Sequence, residues 1–126
     1  MLERILCVED DPDIQDVAKL ALETLGGFKV TLCSSGADAL EKAAAVAPDM
    51  ILLDVMMPGM DGPDTLTALR QKPALAAVPV AFMTARVQPE EVARYHALGA
   101  CGVIAKPFDP MTLANQVKAL WQEATS

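Results

Sequence analysis

Five short apolar runs, each followed by a segment that reads as a helix, constrain this chain more than any other feature. The runs cover residues 2–8, 28–33, 50–54, 78–83 and 102–105, and the helical segments cover 12–25, 37–47, 63–71, 89–98 and 110–124. In the first helical segment Ile14, Val17, Ala18, Ala21 and Leu25 follow helical spacing, after Asp11 as a candidate N-cap and Pro12 as a tolerated first residue. Gly26-Gly27, Pro48 and Gly99 supply the stops. The run Met50-Ile51-Leu52-Leu53 stays apolar until Asp54, as expected of a strand covered on both faces. Five strand–helix units in series imply a parallel sheet with right-handed crossovers and helices on both faces. No repeat, low-complexity tract or linker interrupts the 126 residues, so a single domain is expected over 1–126.

Composition narrows the partners. Hydrophobic residues make up 52% and aromatics only 4%, so the core is aliphatic. The formal net charge of −7, with the basic residues scattered singly, argues against direct nucleic-acid binding. No window approaches the ~18 apolar residues of a membrane span, and the N-terminus lacks signal-peptide features. Cys7, Cys33 and Cys101 show no C-x-x-C spacing, and the first two lie in apolar runs. The expected setting is a reducing cytoplasm.

The residues that terminate the runs carry the chemistry. Glu9 and Asp10, Asp54, Thr84 and Lys106 end the first, third, fourth and fifth runs. In a parallel open sheet those ends share one edge, where ligands bind. Two carboxylates ~4 Å apart repel by about 4 kcal/mol at an effective dielectric of ~20, so three together require a cation. Oxygen donors in small number suit Mg²⁺, which shares its shell readily with a phosphate. A carboxylate can attack phosphorus to form an acyl phosphate, whose three oxygens then call for a metal, a hydroxyl donor and a fixed cation. Mg²⁺, Thr84 and Lys106 form that set, with Asp54 as candidate nucleophile.

These residues carry a resemblance. Ile5-Leu6-Cys7-Val8-Glu9-Asp10-Asp11-Pro12, Leu52-Leu53-Asp54-Val55-Met56-Met57-Pro58-Gly59-Met60-Asp61-Gly62, Pro79-Val80-Ala81-Phe82-Met83-Thr84-Ala85 and Lys106-Pro107-Phe108 stand in order along almost the whole chain. The pattern resembles the receiver domain of two-component response regulators, of the stand-alone, chemotaxis-regulator-like kind. The resemblance implies a flavodoxin-like, doubly wound α/β sheet of strand order 2-1-3-4-5. It implies Mg²⁺ bound by Asp10, by Glu9 through water, by Asp54 and by the Met56 carbonyl. Asp54 would be the phosphoacceptor, with Thr84 and Lys106 contacting the phosphoryl group and a cis bond at Lys106-Pro107. The implied partners are a sensor histidine kinase or histidine phosphotransfer protein and a downstream protein target, met on the fourth helix, fifth strand and fifth helix. Val103 departs from the pattern, which usually has an aromatic residue there. Cys101, Gly102, Thr112 and Gln116 stand where the charged pairs of a receiver dimer would be, so a monomer or weak dimer is expected.

Asp11 reads as a helix cap before a metal ligand, Asp61-Gly62 as a turn, His96 as a helix surface residue, and the Met56–Met60 stretch as loop and packing. Lys106, ending an apolar strand before Pro, calls for an anionic partner. The alternative function is a small-molecule Mg²⁺-dependent phosphohydrolase or phosphotransferase. It would need a cap or substrate pocket and a general acid near Asp54, but no insertion after Asp54 is large enough for a cap, and position 56, two residues on, is Met.

Overall fold

The computed structural model describes residues 1–126. Five strands, β1 (Arg4–Val8), β2 (Lys29–Cys33), β3 (Met50–Asp54), β4 (Val80–Thr84) and β5 (Gly102–Ala105), form one sheet in the order β2-β1-β3-β4-β5. Every neighbouring pair is parallel, so all strands end at the same edge. The order reverses between β1 and β3, which opens a crevice beyond their ends.

Strand periodicity divides the core into two layers. Leu6, Val8, Ile51, Leu53 and Phe82 point to the face covered by α2 (Gly36–Val46), α3 (Gly62–Arg70) and α4 (Pro89–Ala97). Ile5, Cys7, Leu52, Met83 and Ile104 point to the face covered by α1 (Pro12–Leu20) and α5 (Leu113–Thr125). Both layers are aliphatic almost throughout. Cys7 and Cys33 are buried within them, and burial pushes their thiols up to about 12 and about 11 respectively. They remain protonated at neutral pH and behave as small apolar residues.

The ends of several elements differ from the sequence reading, each for a local reason. The first helix was expected to run unbroken over 12–25, but beyond Leu20 it widens into a π-helical turn, Ala21–Leu25. That turn buries Leu22 completely and leaves Leu25 about half exposed. β4 starts at Val80 rather than Val78, because the Val78 carbonyl accepts from the Arg70 guanidinium at 2.6 Å instead of from a strand. α5 starts at Leu113 rather than Pro110: the Asp109 carboxylate takes the Met111 N–H at 2.9 Å and makes a turn ahead of the helix. A short 3₁₀ turn, Pro73–Leu75, was not foreseen.

Arg70 holds this region together. Its guanidinium donates to the carbonyls of Leu75 (2.9 Å), Val78 (2.6 Å) and Gly99 (3.4 Å), tying α3 to the approaches of β4 and β5. Arg70→Met should destabilise the fold by about 2–3 kcal/mol, since it strips a charged donor from three carbonyls, of which that of Leu75 keeps a second donor, the Val78 N–H at 3.3 Å. A urea midpoint equal to that of the parent would mean water satisfies those carbonyls equally well. At the same, amino-terminal end of the sheet, Trp121 of α5 lines a groove with Pro48, Asp49 and Pro79, the residues that lead into β3 and β4.

Candidate functional site

Backbone hydrogen bonds continue past the formal strand ends and fix the polar residues there. The Glu9 N–H donates to Cys33 O (2.9 Å), the Val55 N–H to Met83 O (3.1 Å) and the Lys106 N–H to Thr84 O (2.9 Å). Glu9, Asp54 and Thr84 are consequently almost fully buried although polar. Asp10, one residue beyond Glu9, is exposed at the mouth. Asp11 caps α1, its carboxylate accepting from the N–H groups of Asp13 and Ile14, as expected of a cap.

Asp61 corrects the turn reading: it is the N-cap of α3, accepting from the Asp64 N–H at 2.9 Å. Gly62, which follows, is required by close packing. A Cβ there would lie 2.6 Å from the Asp54 carbonyl oxygen and 2.8 Å from Val55 Cα. The start of α3 therefore rests directly on the end of β3. Two residues of this support were missed from sequence, Gly62 and Gln15, whose side-chain amide donates to the Glu9 carbonyl. The Asp-Gly pair is a usable local signal for the first, whereas nothing local marks Gln15.

Lys106 has the anionic partners its position demanded. Its ammonium lies 2.6 Å from Glu9 Oε1 and 3.2 Å from Asp54 Oδ1. Burial opposes its charge, yet the Glu9 and Asp54 carboxylates outweigh that and hold its pKa above the usual lysine value. Burial raises the Glu9 carboxyl above the usual range, against the pull of Lys106 and of the Asp11 N–H, which donates to Glu9 Oε2 at 3.0 Å. Thr84 Oγ1 accepts from the Arg86 N–H at 3.0 Å, which leaves the hydroxyl hydrogen to donate. The Lys106-Pro107 bond is cis.

One carboxylate oxygen each from Glu9, Asp10 and Asp54 lie within 4.8 Å of one another, an all-oxygen donor set compatible with Mg²⁺. The cleft they line has a volume of about 290 Å³, and Met56, Thr84 and Lys106 complete it. The Met56 side chain is 70% exposed at the rim, whereas Met57 is buried. Beside the cleft lies an apolar groove of about 460 Å³, walled by Ile14, Val17, Pro107 and Phe108. His96 is exposed on α4, and no cysteine enters the cleft. No helix is long and apolar enough to cross a membrane.

Comparison with known proteins gives one answer. The family model for the response regulator receiver domain matches residues 5–118. The DNA-binding response regulator MtrA of Mycolicibacterium smegmatis is 35% identical over 94% of this chain and 50% of its own length. The transcriptional regulatory protein CseB of Streptomyces coelicolor is 38% identical over 92% of this chain and 48% of its own. The chain thus spans about half the length of these curated relatives. Among solved structures, the chemotaxis response regulator CheY4 of Vibrio cholerae superimposes with a TM-score of 0.88 at 30% identity, covering 95% of this chain and 99% of that one. The reversed strand order, the acids gathered at its crevice and the family match agree, and the chain belongs to the response regulator receiver domains of two-component systems.

Proposed function

We propose that residues 1–126 act as one receiver unit in which Asp54 accepts a phosphoryl group and thereby switches protein contacts. The observation that carries this reading is the pairing of Lys106 with Asp54 at 3.2 Å inside a cluster of three carboxylates. Asp54 is the nucleophile: one carboxylate oxygen attacks phosphorus, and the bond to the donor's leaving group breaks as the acyl phosphate forms. Thr84 donates its hydroxyl hydrogen to a phosphoryl oxygen, and Lys106 exchanges a carboxylate partner for that group's charge. Asp10, Asp54 and the Met56 carbonyl would hold Mg²⁺, with Glu9 acting through water; the ion supplies positive charge against the phosphoryl oxygens.

The small-molecule alternative is not favoured. The cleft is open and small, position 56 offers no second acid, and the adjacent apolar groove suits a protein surface. The donor is therefore a histidine kinase or histidine phosphotransfer protein and the output a protein partner. The unit itself makes no direct nucleic-acid contact, given its charge of −7, works in the cytoplasm as a monomer or weak dimer, and has no catalysis beyond its own phosphorylation and dephosphorylation.

Incubation with acetyl phosphate and Mg²⁺ should add a single phosphoryl group, labile to hydroxylamine. A hydroxylamine-stable product would overturn the reading. The metal has its own test. Millimolar Mg²⁺ should raise Tm by several degrees through mass action, and Asp10→Asn should remove most of the rise. Equal responses in parent and variant would take Asp10 out of the binding site.

A further inference from the structure

We propose that Tyr95 is the positioning residue through which the state of the Asp54 site sets the seating of α4; this rests on the reading of Asp54 as phosphoacceptor. α4 is attached to the body of the protein by very little. Tyr95 is its only buried residue, at 1% exposure, and Gln88 offers no side-chain cap. The segment leading into α4, residues 85–88, is exposed throughout, and Gly99 turns the chain out of it with φ +107°. One turn before Tyr95, the Oε2 atom of Glu91 is shielded from water without a hydrogen-bond partner. An unpaired carboxylate oxygen weakens the seat it lies in, so this position of α4 is marginal.

Packed contacts lead from that anchor to the site. The Tyr95 ring meets Phe82 with centroids 5.1 Å apart and planes tilted by 59°. Phe82 is on β4 two residues before Thr84, so the two side chains share a face of the strand. The Phe82 ring also closes on Gly62: its Cε1 is 3.1 Å from where a Cβ on Gly62 would stand. Gly62 in turn presses on the Asp54 carbonyl, as described above. Thr84 and Asp54 therefore both bear on Phe82, one along the strand and one through Gly62.

Val103 pairs with Phe82 in the β4–β5 register and packs on the same cluster. It is short, and β-branching leaves it few χ1 choices, so it has no second position into which to move. The ring that must adjust when Phe82 shifts is Tyr95. Because α4 has no second buried anchor, its repacking carries the whole helix. Coupling of this kind is reciprocal: a partner that grips α4 changes the stability of the phosphorylated state by the same factor.

The test uses beryllofluoride with Mg²⁺ as the phosphoryl mimic on the whole chain, with two separate readouts. Amide shifts at Asp54–Met57 report occupancy of the site, and hydrogen exchange of the α4 amides reports seating. In the parent protein the mimic should change α4 exchange about tenfold, an ordinary coupling magnitude. Tyr95→Phe should keep that response, and Tyr95→Leu should retain the site shifts while its α4 response falls below about twofold. Phe82→Leu breaks the pair from the strand side and should behave like Tyr95→Leu, which covers the case where the latter folds poorly. A full α4 response in either leucine variant overturns the proposal, as does its loss in Tyr95→Phe or a silent α4 in the parent with an occupied site. Absent site shifts in the parent would instead refute the acceptor reading beneath it.

Discussion

Asp54→Asn is expected to abolish phosphoryl uptake from acetyl phosphate while leaving the fold intact. The carboxamide oxygen is a far weaker nucleophile than a carboxylate and forms no acyl phosphate. The substitution takes one charge from a cluster of three acids whose mutual repulsion opposes folding, and it also removes one of the two carboxylates paired with Lys106. These effects oppose each other, so Tm should move by only a few degrees. Intact-mass analysis of parent and variant after identical treatment decides the point. Undiminished labelling of the variant would move the acceptor to another residue and end the assignment of Asp54.

Lys106→Met should be the most destabilising change at the site, by about 3–5 kcal/mol at neutral pH in the absence of Mg²⁺. It leaves two buried carboxylates without their cation, which is the circumstance in which breaking a buried pair is expensive. The pH dependence follows from the signs. Glu9 has a folded-state pKa raised by burial above its ordinary 4.5, so the stability linked to its protonation is present below that value. It is lost as pH rises through the folded pKa. Lys106 also has a raised pKa, and its contribution is present at neutral pH and lost only above the usual lysine range. Without Lys106 only the Asp11 N–H offsets the Glu9 burial penalty, and the deficit should shrink as pH falls toward 4.5. Mg²⁺ should recover part of the loss at neutral pH. Parallel urea titrations at several pH values would expose a deficit that stays flat with pH, which the ion-pair account does not allow.

Periodicity and punctuation made most of the fold legible. The alternation of apolar runs and helices is a whole-chain signal, and a parallel sheet follows from it with few alternatives. Residues such as Glu9, Asp54, Thr84 and Lys106 were legible for a related reason. A charged or hydroxylated side chain at the end of an apolar strand has few structural justifications, and the topology sends all such ends to one edge. What escaped the sequence depends on contacts between distant segments. Val78 sits in an apolar run, yet Arg70 claims its carbonyl and delays β4. Helical spacing groups Leu25 with Ile14, Val17, Ala18 and Ala21 and passes over Leu22, yet the π-helical turn buries Leu22 and leaves Leu25 about half exposed. Tyr95 gave no sign of its importance, since a lone aromatic residue in a short helix carries no record of which ring it will meet.

The placement of Trp121 has an optical consequence. The chain has a single tryptophan, at the amino-terminal edge of the sheet among Pro48, Asp49 and Pro79, while the acids gather at the carboxyl-terminal edge. Its emission will report unfolding of α5 from the sheet. It will not sense a cation by contact quenching, so a Mg²⁺ titration followed by fluorescence should be flat even when the site fills. Spectroscopy of the bound state needs a reporter on the other edge, and the exposed rim position of Met56 offers a place to install one.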